Sequence, residues 1–205
     1  MRCRVALLDN EKESTVTNTP PLSHARTLVH TREIICKGYQ RSDGLLDIEG
    51  RLQDLSSAGT DLPFHSVPEG GAIHDMRLLM TIDADLVIQQ ITACTDTGAT
   101  PFCSAITDAY ASLKGLKIAG GFKRQANACI GGVRGCTHLT ELLERMANVA
   151  MQTMFAVRRA RSRDKTTEGE QETGMTRIWA IGKCHAYRED GEAVQLLWPQ
   201  GLPGA

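Results

Sequence analysis

The chain has 205 residues, and its 23 basic and 24 acidic side chains leave a formal net charge of −1. This length suits one well-buried core, whereas the balanced charge and the few aromatic residues argue against nucleic acid as a partner. No apolar run approaches the roughly 20 residues of a membrane-spanning helix, so a membrane protein is not expected either.

The N-terminal segment and the cysteine content both bear on location. Residues 1–29 are polar and rich in Pro and Thr, without the basic-then-apolar plan of a signal peptide, which predicts a flexible N-terminal arm. The seven cysteines are odd in number and irregularly spaced, which predicts reduced thiols rather than a disulfide framework. Together these features predict a cytoplasmic protein.

Two β-hairpins are predicted in the first half of the chain. A strand over Glu33–Arg41 and a strand over Asp47–Asp54 flank an Asp-Gly turn. A loop rich in Gly, Pro and polar residues follows over 55–71. The second hairpin pairs His74–Ile82, where apolar side chains alternate, with Leu86–Thr95.

The second half predicts two helices and a last hairpin. Apolar residues at helical spacing after Pro101 predict a helix of about three turns, and a glycine-rich loop over 115–135 follows it. A long amphipathic helix is predicted from about Thr137 to Arg159. Residues 162–175 predict a charged loop. Residues 177–198 predict a C-terminal hairpin, with strands over Ile178–Tyr187 and Ala193–Trp198 around an Asp-Gly turn.

The start of the long helix is the strongest candidate for a functional site. Cys136 and His138 place a thiol and an imidazole where free N–H groups and the helix dipole stabilise a thiolate. Both groups are ligands that zinc and transition metals prefer. Residues two apart on a regular helix point about 200° apart, so Cys136 is expected in the non-helical position before the helix.

Further residues complete the predicted site. Cys103 also precedes a helix, and it is a candidate ligand, although a free cysteine is often just a small buried residue. His74 and Asp75 alternate on a strand, so one of them can face the site; the apolar stripe favours His74, and the choice stays open. Arg134 is expected to hold an anionic group beside the helix N-terminus, with loop 115–135 as a lid.

Several long phrases resemble a bacterial family known as a domain of unknown function. These phrases are GYQRSDGLLDIEGRL, IHDMRLLMTID, GCTHLTELL and KCHA. The resemblance covers residues 30–200, and it implies no activity.

Residues 73–155 also resemble the U-type iron–sulphur cluster scaffold proteins. The matching features are Asp75 before Met76 at a strand start, the run Cys103-Ser104-Ala105-Ile106, and Cys136 with His138 at the last helix. The resemblance implies an antiparallel sheet packed by helices on one face. Ile73 stands where these scaffolds have a cysteine, and their adjacent His-Cys pair is Cys-Thr-His here. A mononuclear Zn or Fe site of Cys103, Cys136, His138 and Asp75 or His74 is therefore favoured over an iron–sulphur cluster.

The predicted fold is α+β, with a single domain over residues 30–200 and a scaffold-like core over 73–160. It has a curved antiparallel sheet of about five to seven strands, with the long helix and a shorter helix on one face. The first hypothesis is a metal-dependent hydrolase or lyase that acts on a small molecule, with His74, Asp75 and Arg134 as catalytic residues. The alternatives are a metal or iron–sulphur carrier without turnover and a metal-free enzyme with a Cys136 nucleophile. The oligomeric state is open, and a homodimer is one option.

Overall fold

Four long antiparallel strands form the main sheet of the protein. In the computed structural model, which describes residues 24–166, 181–199 and 202, these strands are β1 (His30–Gln40), β2 (Leu46–Ser56), β5 (Ala72–Ile82) and β6 (Ile88–Thr97). They are hydrogen-bonded in the order β1-β2-β5-β6. The connection between β2 and β5 contains a separate two-stranded sheet of β3 (Thr60–Asp61) and β4 (Ser66–Val67).

Helical elements follow the sheet along the chain. They are a 3₁₀ helix (Cys103–Leu113), α1 (Phe122–Ile130), a 3₁₀ turn (Gly132–Arg134), α2 (Thr137–Thr166), a 3₁₀ turn (His185–Tyr187) and α3 (Glu192–Leu197). The chain forms two compact units, residues 1–151 and residues 152–205. Within the described part of the chain, no helix is both long and apolar enough to cross a membrane.

The core of the first unit lies between one face of the sheet and α2. Alternate residues of β2, starting at Leu46, and of β5, starting at Met76, are buried. The residues of α2 that are buried in this unit recur at helical spacing: Leu139, Leu142, Leu143, Met146, Ala147 and Ala150. Gly50 permits this close packing, because a Cβ atom there would lie 2.5 Å from Sδ of Met146. Each large aliphatic side chain buried in this layer contributes about 1.5–3 kcal/mol.

The predicted α+β fold, with an antiparallel sheet, a long helix and shorter helices, is confirmed. Both hairpins predicted in the first half of the chain are present close to their expected bounds, and α2 begins at Thr137 as predicted. The main sheet has four strands rather than five to seven. The difference arises because the extended residues between β2 and β5 pair with each other, while the described residues 181–199 of the predicted last hairpin form turns and short helices.

Three predictions for helices and loops need correction. The glycine-rich segment 115–135 is not a simple loop, because it contains α1, whose Phe122, Ala126 and Ile130 are buried at helical spacing between flanking glycines. The helix predicted after Pro101 is a 3₁₀ helix. Helix α2 extends to Thr166 and so includes the start of the predicted charged loop 162–175; residues 167–175 lie outside the described residues.

The predicted C-terminal hairpin over 177–198 is wrong in both strands as far as the described residues reach, because residues 181–187 form turns that end in the 3₁₀ turn His185–Tyr187. Residues 177–180 lie outside the described residues, and the segment predicted as the strand Ala193–Trp198 is largely helix α3. Gly191 precedes this helix, and Val194 and Trp198 are buried four residues apart, which is a helical spacing. Of the predicted arm 1–29, residues 24–29 are exposed and the rest lie outside the described residues.

Candidate metal centre

Three polar side chains lie side by side across three strands at one end of the sheet. Arg32 of β1 pairs with Asp54 of β2, and Asp54 pairs in turn with His74 of β5. Because strand side chains alternate between faces, Asp54 shares the face of Leu46 and Leu52, and His74 shares the face of Met76. The row therefore continues the apolar face on which α2 packs.

The pairing of β2 with β5 becomes irregular directly after this row. Asp54 pairs with His74, whereas Leu55 pairs with Ala72, so Ile73 is an extra residue in β5. Such a β-bulge bends the strand and redirects the side chains beside it. The bulge thus ends the regular ladder at the position where the polar residues begin.

Asp54 is the centre of a buried hydrogen-bond network. Its carboxylate is 2% exposed and accepts two hydrogen bonds of 2.7 Å from Arg32, one from Nε to Oδ1 and one from Nη2 to Oδ2. His74 Nδ1 lies 2.9 Å from Oδ2, and His30 Nε2 lies 3.2 Å from Oδ1. Burial alone would raise the pKa of Asp54, but the hydrogen bonds from Arg32 and His74 outweigh it and lower the pKa to about 2.

His138 joins this network from the first turn of α2. Its ring stacks on that of His74 with the centroids 3.8 Å apart and the planes tilted by 32°, and its Nε2 lies 3.7 Å from Oδ2 of Asp54. Burial lowers the pKa of His138, and the nearby His74 and Arg32 lower it further. His138 is therefore a neutral imidazole at neutral pH, which is the form that binds metals.

Two features hold the start of α2 above the sheet. Cys136 lies directly before the helix, where the Tyr110 hydroxyl donates a 2.9 Å hydrogen bond to its carbonyl oxygen and accepts a 3.2 Å bond from its N–H. The preceding residue has to be glycine, because a Cβ atom on Gly135 would overlap the carbonyl oxygen of Ile130. Both features fix the position of His138 in the first turn of α2.

Asp54, His74 and His138 could hold a single metal ion. Each offers one ligand atom, and these atoms all lie within 4.8 Å of one another. Tetrahedral bonds of about 2.0–2.1 Å to oxygen and nitrogen place neighbouring ligand atoms about 3.3 Å apart. The separations of 2.9 Å and 3.7 Å from Oδ2 of Asp54 to the two histidines lie on either side of this value.

The charges around the three residues are compatible with a cation. The guanidinium of Arg32 alone would repel one, but its Nη1 donates a 2.8 Å hydrogen bond to Oε2 of Glu141 on α2. Arg32, Asp54 and Glu141 carry a net charge of −1, and Arg145, 3.9 Å from Oε1 of Glu141, brings the four charges to zero, so the group presents no net positive charge to a cation. Arg32 also fixes the orientation of the Asp54 carboxylate, as residues behind metal ligands commonly do.

Residues 30–152, more than half of the chain, match the model of a family described as "Protein of unknown function (DUF2889)". The chain belongs to this family. No curated protein and no solved structure matches the chain. Asp54, His74 and His138 all lie within the DUF2889 region, as do Arg32 and the bulge in β5.

Two of the predicted site residues meet in the DUF2889 domain, and a third lies beside them. His74 and His138 belong to the cluster with Asp54, so it is His74 rather than Asp75 that faces α2. The Sγ atom of Cys136 lies 3.9 Å from Nδ1 of His138, whereas Asp54 lies near the other ring nitrogen, Nε2. Cys136 is therefore next to the cluster without being one of its three members.

The other predicted residues have different partners. Both carboxylate oxygens of Asp75 accept hydrogen bonds from Arg51, on the opposite face of the sheet. Sγ of Cys103 lies 3.4 Å from Oγ1 of Thr100. Arg134 donates hydrogen bonds to backbone carbonyl oxygens at the end of α1. None of the three belongs to the cluster that the described residues form.

Asp54, Arg32 and His30 of the DUF2889 domain were missed as site residues by the sequence analysis. A signal for Asp54 was present, since it extends the inward alternation of Ile48, Gly50 and Leu52 in the predicted strand. A carboxylate at an inward position of a strand needs partners, and His74 extends the inward stripe of the next hairpin in the same way.

Proposed function

We propose that the protein is a metal-dependent enzyme, of the hydrolase or lyase type, that acts on a small molecule. The observation that carries the proposal is the convergence of Asp54, His74 and His138 from two strands and a helix, with their ligand atoms within 4.8 Å of one another. Three separate elements supply these groups to one point at the edge of a buried core.

The donor set favours a mononuclear Zn or Fe ion. One carboxylate and two imidazoles are a usual set for catalytic zinc and for non-haem Fe(II), and three protein ligands leave positions open for water or substrate. An iron–sulphur cluster would need thiolates, and the three clustered residues have none. A carrier of such clusters is therefore less well supported than a mononuclear centre.

A bound metal ion would supply Lewis acidity, either by polarising a carbonyl group or by lowering the pKa of a water molecule to about 7. The residues around it have separate tasks. Arg32 keeps the Asp54 carboxylate ionised and oriented through two hydrogen bonds. His30, whose side chain is 48% exposed, contacts the same carboxylate and is the group best placed to exchange protons with solvent.

One observation favours a second candidate, a metal-free thiol enzyme. Cys136 Sγ and His138 Nδ1 are 3.9 Å apart, a distance that a small side-chain rotation would shorten to a hydrogen bond. Catalytic roles for Asp75 and Arg134 stay predictions from the sequence, since the contacts of these two residues add no support. A cytoplasmic location and a homodimer also stay predictions from the sequence.

Metal titration of the full-length chain tests the proposal. After removal of metal with a chelator, the wild-type chain is expected to bind about one equivalent of Zn²⁺. Asp54→Asn, His74→Gln and His138→Gln should each lower the affinity at least tenfold, because losing even a residue behind the ligands commonly costs 10–100-fold. His65→Gln is the matched control, since His65 is exposed and outside the cluster. Wild-type affinity in all three cluster variants would refute the metal centre.

Inhibition separates the two candidate enzymes. On a panel of small esters and phosphoesters, any activity of the metal-loaded protein should be lost on chelation, restored by metal and retained after alkylation with iodoacetamide. The thiol enzyme predicts the reverse pattern, with activity lost on alkylation and unaffected by chelation.

A further inference from the structure

A second group of metal-binding atoms includes Nδ1, the ring nitrogen of His138 that does not face Asp54. Sγ of Cys136 is 3.8 Å from Sδ of Met76 and 3.9 Å from Nδ1 of His138. Met76 lies on β5 and is fully buried, and Cys136 is half-buried directly before α2. We propose that Cys136, Met76 and Nδ1 of His138 form a site for a soft monovalent cation, Cu(I).

The chemistry of the three donors favours this ion. Thiolate and thioether sulphurs select Cu(I), and imidazole is also a good copper ligand, whereas hard divalent cations avoid a thioether. The group therefore differs in kind from Asp54, His74 and Nε2 of His138, which suit a harder divalent ion.

The distances also fit. Bonds of about 2.3 Å to sulphur and about 2.0 Å to nitrogen, in trigonal or tetrahedral coordination, place neighbouring donors about 3.5–4.0 Å apart. Both separations from Cys136 lie in this interval. Cys136 and Met76 are thus already spaced as two ligands of one ion.

The two sites share one imidazole, and this has a consequence for occupancy. A neutral imidazole has one nitrogen with a lone pair and one that carries a proton. In the neutral ring, binding of Cu(I) through Nδ1 leaves the proton on Nε2, whereas binding of Zn²⁺ through Nε2 leaves it on Nδ1. Binding both ions at once would require loss of this last proton to the solvent, which is unfavourable at neutral pH. Each ion should therefore weaken the binding of the other, by the same factor in both directions.

Conservative methionine variants give the decisive test. Cu(I) affinity is measured on the full chain, anaerobically and with a reductant, by competition with a coloured Cu(I) chelator. Met76→Leu is expected to lower the affinity at least tenfold. Met80→Leu is the matched control, because Met80 lies on the same strand and face and is equally buried, and it should leave the affinity unchanged. The Met-to-Leu exchange nearly conserves volume, so both variants should fold.

X-ray absorption supplies a readout that a change in folding would not produce. The wild-type Cu(I) protein should show two sulphur neighbours, and both Met76→Leu and Cys136→Ser should show one. Equal Cu(I) affinity in Met76→Leu and Met80→Leu, or an unchanged sulphur count in Met76→Leu, would overturn the inference.

The outcome is independent of the proposed enzyme. Met76→Leu should weaken the binding of Cu(I) and leave the Zn²⁺ affinity unchanged, because Met76 is not among Asp54, His74 and His138. If Asp54→Asn leaves Zn²⁺ binding unchanged, the proposed metal-dependent enzyme fails while the copper result stands. If Met76→Leu lowers the affinity for Zn²⁺ together with that for Cu(I), the two ions share one site and the separate sulphur site is refuted.

Discussion

Asp54 should make the stability of the metal-free protein depend on pH in the acid range. Its pKa falls from 3.8 to about 2 on folding, against the cost of burial, because of Arg32 and His74. At about 1.4 kcal/mol for each pKa unit, this difference contributes about 2.5 kcal/mol of stability at neutral pH. A lowered pKa means that the unfolded chain binds the proton more readily. The contribution is therefore complete above pH 5 and decreases by about 1 kcal/mol at pH 3 and about 2 kcal/mol at pH 2.

Urea unfolding of the chelator-treated protein between pH 6 and pH 3 measures this effect. Asp54→Asn has no carboxyl group to titrate, so the stability gap between wild type and variant should narrow by about 1 kcal/mol as the pH falls to 3. Asp108→Asn is the control, because Asp108 is an exposed carboxylate outside the network, and its gap to wild type should change far less. A gap for Asp54→Asn that stays constant over this range would refute the proposed coupling of Asp54 to Arg32 and His74.

Two other changes probe the elements that position the centre. Gly135→Ala should destabilise the protein by about 1–3 kcal/mol and weaken metal binding, because its Cβ atom would overlap the carbonyl oxygen of Ile130. Thermal unfolding and zinc titration measure the two effects. Gly120→Ala is the control, because no atom lies within 4 Å of the added Cβ, and it should change neither stability nor metal binding. Without metal, the wild-type protein should lose stability as the pH falls below about 6.5, because folding lowers the pKa of His138 and the unfolded chain takes up the proton first. His138→Gln should lose less stability over the same pH range. Denaturant unfolding of His138→Gln and of the control His65→Gln at pH 7.5 and pH 5 checks this. An equal change in the free energy of unfolding between the two pH values in both variants would contradict it.

The secondary structure could be predicted where the order of apolar and polar side chains along the chain shows which of them are buried. The inward alternation of β2 and β5 and the buried stripe of α2 each repeat with the period of their element, so the hairpins and the long helix follow from local pattern. The prediction from sequence pattern was wrong at α1 and α3, where the glycines next to each helix were interpreted as part of a loop or a turn. In both cases the helix is short, and burial of a few residues rather than propensity decides its structure.

The sequence by itself determined that His138 and Cys136 stand together at a helix start, and its apolar stripe favoured His74 over Asp75 as the inward residue. It could not determine which side chains from distant segments meet them, because that depends on strand order and register. Placing β2 between β1 and β5 brings Asp54 into contact with both Arg32 and His74. Packing α2 across that face then adds His138, from a residue far along the chain. The same alternation turns Asp75 to the opposite face, where it pairs with Arg51.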